Sequence, residues 1–375
     1  MSISLLNLYN DTKSKYKLEL VAGINGVNRI ISWVYYSEDN STIDFIRGNE
    51  LIFTTGLEYN HNENWLLELI KSLIIHNAGG LVINIGNYIK NIPEDIINYC
   101  NKYNFPLITM PWEIHLVDIM QDYCNSIITE EQRSKNIDAT IKNLLLNRTL
   151  SYEYYDVLSE NKYDTDGYYY VCKITSTYPM QDIINSIYNI SFNYSTIKYN
   201  IITINKDYFL VFHSESREIS LNYFENLSKK LIEKYPIKFF ISSAIKGIKN
   251  LSLGYDQSNK CSLIPSPNNC IFYDSLGIYK LLLEINKKDS LIEFYNNSLG
   301  NLIEYDNKHN TDLLTTLKLY LLNNSSIQAV ADATFTHRNT INYRIRKIKS
   351  ILDVDIDNMS VKMELLLSFY IKNIL

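Results

Sequence analysis

The sequence predicts a multidomain chain that is α/β at its N-terminus, α+β and ferredoxin-like in its middle, and all-α at its C-terminus. Three observations carry this expectation. At 375 residues the chain exceeds one typical domain. Over its first third, short apolar runs alternate with stretches of helical periodicity, the pattern of βα units and a largely parallel sheet. From Leu313 to Leu352 it reads as three amphipathic helices in quick succession, the last of them basic.

Residues 1–128 form the first expected unit. A helix around Ser2–Leu8 leads to a strand at Leu18–Ala22, a turn at Gly23 and Gly26, and a second strand at Ile30–Tyr36. Leu51–Thr54 suits a strand that Gly56 ends, and Trp65–His76 an amphipathic helix. Gly80–Ile85 is a short apolar run bounded by glycines, the mark of a buried strand. Pro93 starts another helix, and Phe105–Pro111 is a further strand.

Residues 129–164 turn helical and polar. Ile137, Ile141, Leu144 and Leu145 form a stripe, too short to establish a coiled coil. It suits equally a linker that pairs with a partner chain and a helix docked on its own domain. Residues 165–285 follow as strand (Tyr168–Ile174), helix (Gln181–Ile190), two strands (Lys198–Ile204 and Tyr208–Phe212) around Asn205-Lys206-Asp207, helix (Ser220–Lys234) and strand (Phe239–Ala244). The order βαββαβ is ferredoxin-like, the core of nucleotide cyclases. Residues 286–305 are expected to be a connecting helix.

The region 306–375 is the most informative. Leu313, Leu314, Leu317, Tyr320 and Leu321 share one face of the first helix. Ser325 stands three residues before Gln328, capping-box spacing for a short second helix with Ile327, Val330 and Ala331 inward. A break at Thr334–Thr336 follows, with Thr336 a candidate cap for the third helix. There Ile341, Ile345, Ile348 and Leu352, at spacings of four, three and four, form one buried stripe. The remaining surface is His337, Arg338, Asn339, Asn342, Tyr343, Arg344, Arg346, Lys347 and Lys349, with no acid before Asp353. A short helix, a tight turn and a basic helix make a helix-turn-helix, whose second helix enters the major groove of double-stranded DNA. Arg matches guanine and Asn matches adenine there, while Lys and Arg further along suit phosphates. The plainer alternative is the solvated basic face of a bundle helix.

Composition narrows the remaining classes. With 46% hydrophobic residues the chain can bury real cores. A net charge of −5 excludes a generic polyanion binder, so any DNA contact must come from a local basic face. Heavy use of Asn, Ile, Tyr and Lys reads as coding bias. Cys100, Cys124, Cys172, Cys261 and Cys270 contain no C-x-x-C pair, which argues against a disulfide framework and a zinc knuckle and fits a reducing cytosol. No signal peptide and no membrane span are expected, so the localisation expected is cytoplasmic.

Tyr305-Asp306, the run from Leu313 to Asn324, and above all Thr336-His337-Arg338-Asn339-Thr340 followed by Tyr343-Arg344-Ile345-Arg346 resemble the C-terminal helix-turn-helix of the PucR/CdaR family of bacterial transcription regulators. Ile341 and Ile345 stand where Val and Leu are usual, and Leu352-Asp353 replaces the common Leu-Gly. The family's N-terminal domain is resembled by Ala22-Gly23 with Gly26-Val27, Arg47–Gly56, Ala78–Ile83, Ile92-Pro93 and Phe105-Pro106-Leu107. Ile271–Leu282 is similar to the closing segment of its GGDEF-like middle domain.

The resemblance implies a DNA-binding transcription regulator, tied to purine or amino-acid catabolism and responsive to a small-molecule effector. It implies DNA contacts from Thr336, His337, Arg338, Asn339, Thr340, Asn342, Tyr343, Arg344, Arg346 and Lys347. Ligands of doubly wound sheets sit beyond the carboxyl ends of strands, which singles out Thr54, Thr55 and Gly56, with Glu50 in the same run, as an effector-binding candidate. The alternative is that this run only ends a strand, with Glu50 capping backbone groups. A lone helix-turn-helix reads few base pairs, so a homodimer or higher homo-oligomer is expected.

An enzyme finds little support. The Asn205-Lys206-Asp207 hairpin offers one acid and no glycine, where a cyclase needs a phosphate-approach turn with paired carboxylates for metal. No P-loop, nucleophile elbow or H-E-x-x-H occurs. His61, His76, His115, His213, His309 and His337 are isolated, and a lone histidine is more often a surface or core residue than a ligand. No catalytic residue, metal or cofactor is expected. The rival readings are a nucleotide-binding or nucleotide-converting enzyme and a protein-interaction scaffold.

Overall fold

The computed structural model of the protein describes residues 3–60, 64–147, 152–191, 194, 196–285 and 287–375. Ser2, His61, residues 148–151 of the linker and Asn286 lie outside these. The chain divides into two compact units, Met1–Ala139 and Thr140–Leu375.

In the first unit β1 (Ile3–Ser4) leads into α1 (Leu5–Thr12), followed by β2 (Glu19–Ala22), β3 (Ile30–Ile31), β4 (Trp33–Tyr36), β5 (Glu50–Thr54), α2 (Trp65–Ile75), β6 (Gly80–Ile85), α3 (Glu94–Lys102), β7 (Leu107–Pro111) and α4 (Leu116–Leu146). Five strands form one sheet in the order β2-β7-β6-β5-β4, with β4 to β7 mutually parallel and β2 antiparallel at the edge. Alternate residues of its strands feed opposite faces. Ile52, Leu81, Ile83 and Leu107 pack with Leu66, Leu69 and Ile70 of α2 and Ile96 and Cys100 of α3. Leu51, Phe53, Val82 and Ile108 pack with Leu5 and Leu8 of α1 and Ile119 and Tyr123 of α4. The expected mixed α/β layering is therefore present.

Several boundaries differ from the sequence reading, among them the start of the helix expected from residue 129, which begins at Leu116 and runs across that expected boundary. The first helix starts at Leu5, because Ser4 is its cap and accepts a bond from the Asn7 amide. The single strand expected over Ile30–Tyr36 is two, because the chain changes partners at Ser32: β3 pairs antiparallel with β1, and β4 parallel with β5. Ile137, Ile141, Leu144 and Leu145 of α4 are buried.

The second unit takes in the last residues of α4 from Thr140 and continues with α5 (Tyr152–Glu160), then β8 (Tyr168–Ser176), α6 (Met180–Ser191), β9 (Lys198–Ile204), β10 (Asp207–Ser214), α7 (Arg217–Lys234), β11 (Ile237–Ile241), β12 (Ile245–Lys246), α8 (Leu251–Ser262), β13 (Cys270–Phe272) and α9 (Tyr279–Leu282). The sheet runs β13-β11-β8-β10-β9, antiparallel except for the β11–β13 pair. Asn205 (φ 49°) and Lys206 (φ 72°) form the two-residue left-handed turn that matches the twist of a hairpin. α6 and α7 cover one face through Ile183, Ile187, Phe224 and Leu227. The sequence reading did not anticipate α8 or β13. α8 has a weak apolar stripe because it meets the sheet partly through small residues, Gly254 lying against Val171.

The chain ends in five helices: α10 (Lys288–His309), α11 (Leu313–Leu322), α12 (Ile327–Ala333), α13 (Arg338–Leu352) and α14 (Met359–Lys372). Their shared core holds Leu299, Leu302, Leu317, Leu321, Val330, Ile341, Ile345, Ile348, Leu365 and Phe369. The Asp306 carboxylate accepts from the amides of Leu313 (2.9 Å) and Leu314 (2.8 Å), so the end of α10 caps the start of α11. α14 also packs on α9, where Tyr370 meets the Tyr279 ring edge-on and Asn373 donates to the Tyr279 hydroxyl at 2.7 Å.

Candidate nucleic-acid interface and sensor site

The short helix α12 is capped by Ser326, whose hydroxyl accepts from the Ala329 amide at 3.2 Å. This corrects the expectation for Ser325, which sits in a left-handed conformation (φ 61°) one residue too early. Gln328 does not reach back to a cap but donates to Asp332 one turn on, at 2.8 Å. After α12 the chain turns sharply, with the Thr336 amide donating to the Ala331 carbonyl at 3.0 Å.

α13 is likewise capped one residue later than its sequence suggests. His337 is the cap, its Nδ1 accepting from the Asn339 amide at 3.2 Å. Thr336 faces back and donates its hydroxyl to the Thr334 carbonyl at 3.0 Å. The stripe Ile341, Ile345 and Ile348 is buried as its spacing predicts, and Leu352 is partly buried beside it. Asp353 ends the helix in a left-handed conformation (φ 53°), the position that glycine more commonly fills.

The polar surface of α13 divides in two. His337, Arg338, Asn339, Thr340, Tyr343 and Arg346 are exposed. Asn339, Tyr343 and Arg346, at spacings of four and three, run along the face opposite the buried stripe. Arg344 and Lys347 instead turn toward the fold. Arg344 donates to the Thr316 hydroxyl of α11 at 3.3 Å, and the Lys347 ammonium lies 5.1 Å from the Tyr305 ring. Asn342 is half-buried, and Lys349 pairs with Asp357.

Sequence reasoning missed Phe335. It stands at the centre of the turn before α13, 99% exposed, with a left-handed backbone (φ 49°) that is unusual for a bulky residue. Such a residue carries no periodicity, so no pattern marks it.

In the first unit the structure separates the four effector candidates. Glu50 opens β5, and its carboxylate accepts from the amides of Arg47 (3.1 Å) and Gly48 (2.7 Å). Thr54, Thr55 and Gly56 lie at the other end of the strand, where a different carboxylate occupies them. Glu38 Oε1 accepts from the Thr55 amide (2.6 Å), the Thr55 hydroxyl (2.7 Å) and the Tyr36 hydroxyl (2.8 Å). Its Oε2 accepts from the Thr54 hydroxyl (2.9 Å) and the amides of Gly56 (3.1 Å) and Leu57 (3.0 Å). Burial pushes the Glu38 carboxyl up, but the bonds from Thr55, Tyr36 and Leu57 outweigh it and hold the group below its ordinary value. Gly56 is required here: its φ is 77°, and a Cβ would sit 2.5 Å from the Ile89 side chain.

The other titratable candidates are placed apart. Asp207 pairs with Lys173 at 2.7 Å. Burial pushes the thiols of Cys100 and Cys261 up to about 12 and that of Cys172 well above its ordinary value, which leaves them unreactive. Among the described residues no three His, Cys, Asp or Glu side chains gather as a metal site, and no helix is long and apolar enough to cross a membrane.

A short helix, a sharp turn and a second helix with an exposed polar face define a helix-turn-helix domain. Comparison with known proteins specifies which kind. Residues 313–371 match the PucR C-terminal helix-turn-helix domain, and residues 8–127 match the purine catabolism regulatory protein-like (PucR) family. The chain thus carries the N-terminal and the C-terminal domain of the PucR family. It is 38% identical over 95 residues to the proline-responsive transcriptional activator PutR of Bacillus subtilis, covering 25% of this chain and 23% of that protein. It is 28% identical over 154 residues to the DNA-binding transcriptional activator AdeR of B. subtilis, 39% of this chain and 36% of that one. It is 31% identical over 122 residues to the purine catabolism regulatory protein of B. subtilis, 32% of this chain and 23% of that one. The alignments thus span between 23% and 36% of the length of these relatives.

Proposed function

We propose that the protein is a cytoplasmic, DNA-binding transcription regulator and not an enzyme. One observation carries this reading: the exposed face of α13 presents Arg338, Asn339, Tyr343 and Arg346 while its opposite face is the core of the helix-turn-helix. The three relatives are named as transcriptional activators or a regulatory protein, which supports the same reading. Their names point to proline and to purine catabolism, so the genes controlled here are those of purine or amino-acid breakdown.

In this reading residues 1–128 sense a small molecule, 129–164 link, 165–285 form a degenerate cyclase-like domain, 286–305 connect, and 306–375 bind DNA as a homodimer or higher homo-oligomer. The strand order β11-β8-β10-β9 with helices α6 and α7 on one face supports a ferredoxin-like middle domain. The Lys173 ion pair on Asp207 takes up the hairpin's one acid, which favours a domain without turnover. Effector binding biases an equilibrium between arrangements of two DNA-binding heads.

The test is recovery of genomic fragments by the purified chain, followed by titration of the recovered site against random competitor DNA at several salt concentrations. A preferred site upstream of catabolic genes supports the reading. Binding to no DNA at low salt rejects it.

A further inference from the structure

The bonds that Glu38 accepts describe a receptor. Three successive amides of a turn (Thr55, Gly56, Leu57), two threonine hydroxyls and one tyrosine hydroxyl converge on a single carboxylate. Successive amides in such a turn form a concavity that binds anions, because their dipoles point at one place. Its position is the carboxyl edge of parallel strands, where α/β sheets take their ligands.

We propose that the Thr54–Leu57 turn is a carboxylate receptor which Glu38 fills in this conformation, and that a small molecule bearing a carboxylate takes it in exchange. This deepens the sensing role assigned to the first unit and rests on that reading.

Four features make exchange possible. Three of the donors are backbone amides, so the receptor persists whichever carboxylate fills it. Glu38 lies beyond the end of β4 at Tyr36, so its withdrawal breaks no rung of the sheet. Leu57 and Tyr36 are exposed, so solvent reaches the mouth. Exposed aromatic surface stands at the same edge: Trp112, just past β7, is 41% exposed and packs on the Tyr88 ring at 5.5 Å. A carboxylate with an apolar or planar body would find both parts of its recognition here. The next residues, Asn40–Phe45, form a 3-10 strap that Asp39 caps and that Ile43, fully buried with Leu66 and Leu69 of α2, anchors in the core, while the Ser37 and Asp39 bonds at its start are local. Displacing Glu38 therefore loosens the chain between the end of β4 and that buried anchor, which gives the ligand a differential effect on two conformations.

Because Glu38 competes from within the chain, it weakens the apparent affinity for any external carboxylate. The experiment uses the full-length chain and acetate as probe. Melting temperature is followed in sodium acetate and in sodium chloride at equal ionic strength for wild type, Glu38→Ala and Glu38→Ala combined with Thr55→Val. Acetate is expected to raise the melting temperature of Glu38→Ala saturably above its value in chloride, and to do so less for wild type and less for the double variant. Equal behaviour of Glu38→Ala in the two salts, or an acetate response untouched by Thr55→Val, overturns the proposal. If Glu38→Ala does not fold, Glu38→Gln is titrated with acetate and the amide resonances of Thr55, Gly56 and Leu57 are followed. Saturable shifts support the receptor, and resonances indifferent to acetate overturn it. DNA binding is measured in parallel. A chain that takes acetate but binds no DNA defeats the regulatory reading alone, and a DNA-binding chain indifferent to acetate defeats the receptor alone.

Discussion

The Arg344 guanidinium donates to the Thr316 hydroxyl at 3.3 Å, tying α13 to α11 inside the helix-turn-helix. Arg346, two residues on, is exposed. The two arginines therefore separate a structural role from an electrostatic one. Arg346→Ala is expected to weaken binding to specific and random DNA alike and to lower the salt slope by about one, with the melting temperature unchanged. Arg344→Ala is expected to cost about 1 kcal/mol of stability through the lost bond. Denaturant titration of both variants beside salt-dependent binding checks the split. A stable Arg344→Ala with a reduced slope would place that residue on phosphate instead.

Phe335 makes a second case. A bulky side chain at φ 49° is strained, and one that is 99% exposed gains nothing from packing. The turn that closes α12 fixes this angle through the Thr336–Ala331 bond, while the exposed ring is left open to contact with something outside the chain. Phe335→Gly is expected to stabilise the chain by roughly 1 kcal/mol, since glycine takes the left-handed region freely. The same variant is expected to bind DNA more weakly, through loss of an apolar contact to thymine methyl or sugar. Unaltered DNA affinity in the stabilised variant would remove Phe335 from the interface.

His213 governs a third expectation. It lies buried on β10 between the rings of Tyr163 (5.6 Å) and Tyr169 (4.5 Å), and neither ring nitrogen has a hydrogen-bond partner among the described residues. Burial lowers its pKa from 6.5 to about 4. The unfolded chain then binds the proton that the folded chain refuses. Its contribution to stability is full above pH 6.5 and is lost as the pH falls toward 4. The loss is roughly 3 kcal/mol at most. Urea titrations across this range on wild type and His213→Phe give the answer. An identical pH dependence in both would show that the proton goes elsewhere.

Much of this molecule was legible in its sequence, for physical reasons that also mark where legibility ended. The parallel sheet of the first unit follows from glycine-bounded apolar runs, and Ile341, Ile345 and Ile348 reach the core as their spacing requires. The caps of α12 and α13 fell one residue late, because neighbouring serines, or a threonine and a histidine, offer equivalent acceptors until backbone angles choose between them. Glu38 could not be found at all from local pattern. Its partners in the turn lie 16 to 19 residues away, and only the parallel register that sets Tyr36 beside Phe53 brings residue 38 level with Thr55. Glu50, nearer in sequence to Thr54, was the more visible candidate and belongs to the other end of the strand.

Arg338 yields the sharpest prediction. It is the first residue of α13, directly after the His337 cap, and it is exposed. That end of a recognition helix points at base edges, and arginine pairs two acceptors of guanine at once. Asn339 follows it on the surface and is placed to share the reading. The buried stripe excludes Arg338, so its loss should leave the fold intact. Arg338→Ala is expected to cost about 1–3 kcal/mol at the operator and to relax preference at one base pair per half-site, while random-sequence binding falls far less. Operator variants titrated at fixed salt against wild type and Arg338→Ala decide it. Equal losses on every variant would make Arg338 a phosphate contact and move base readout to Asn339 and Tyr343.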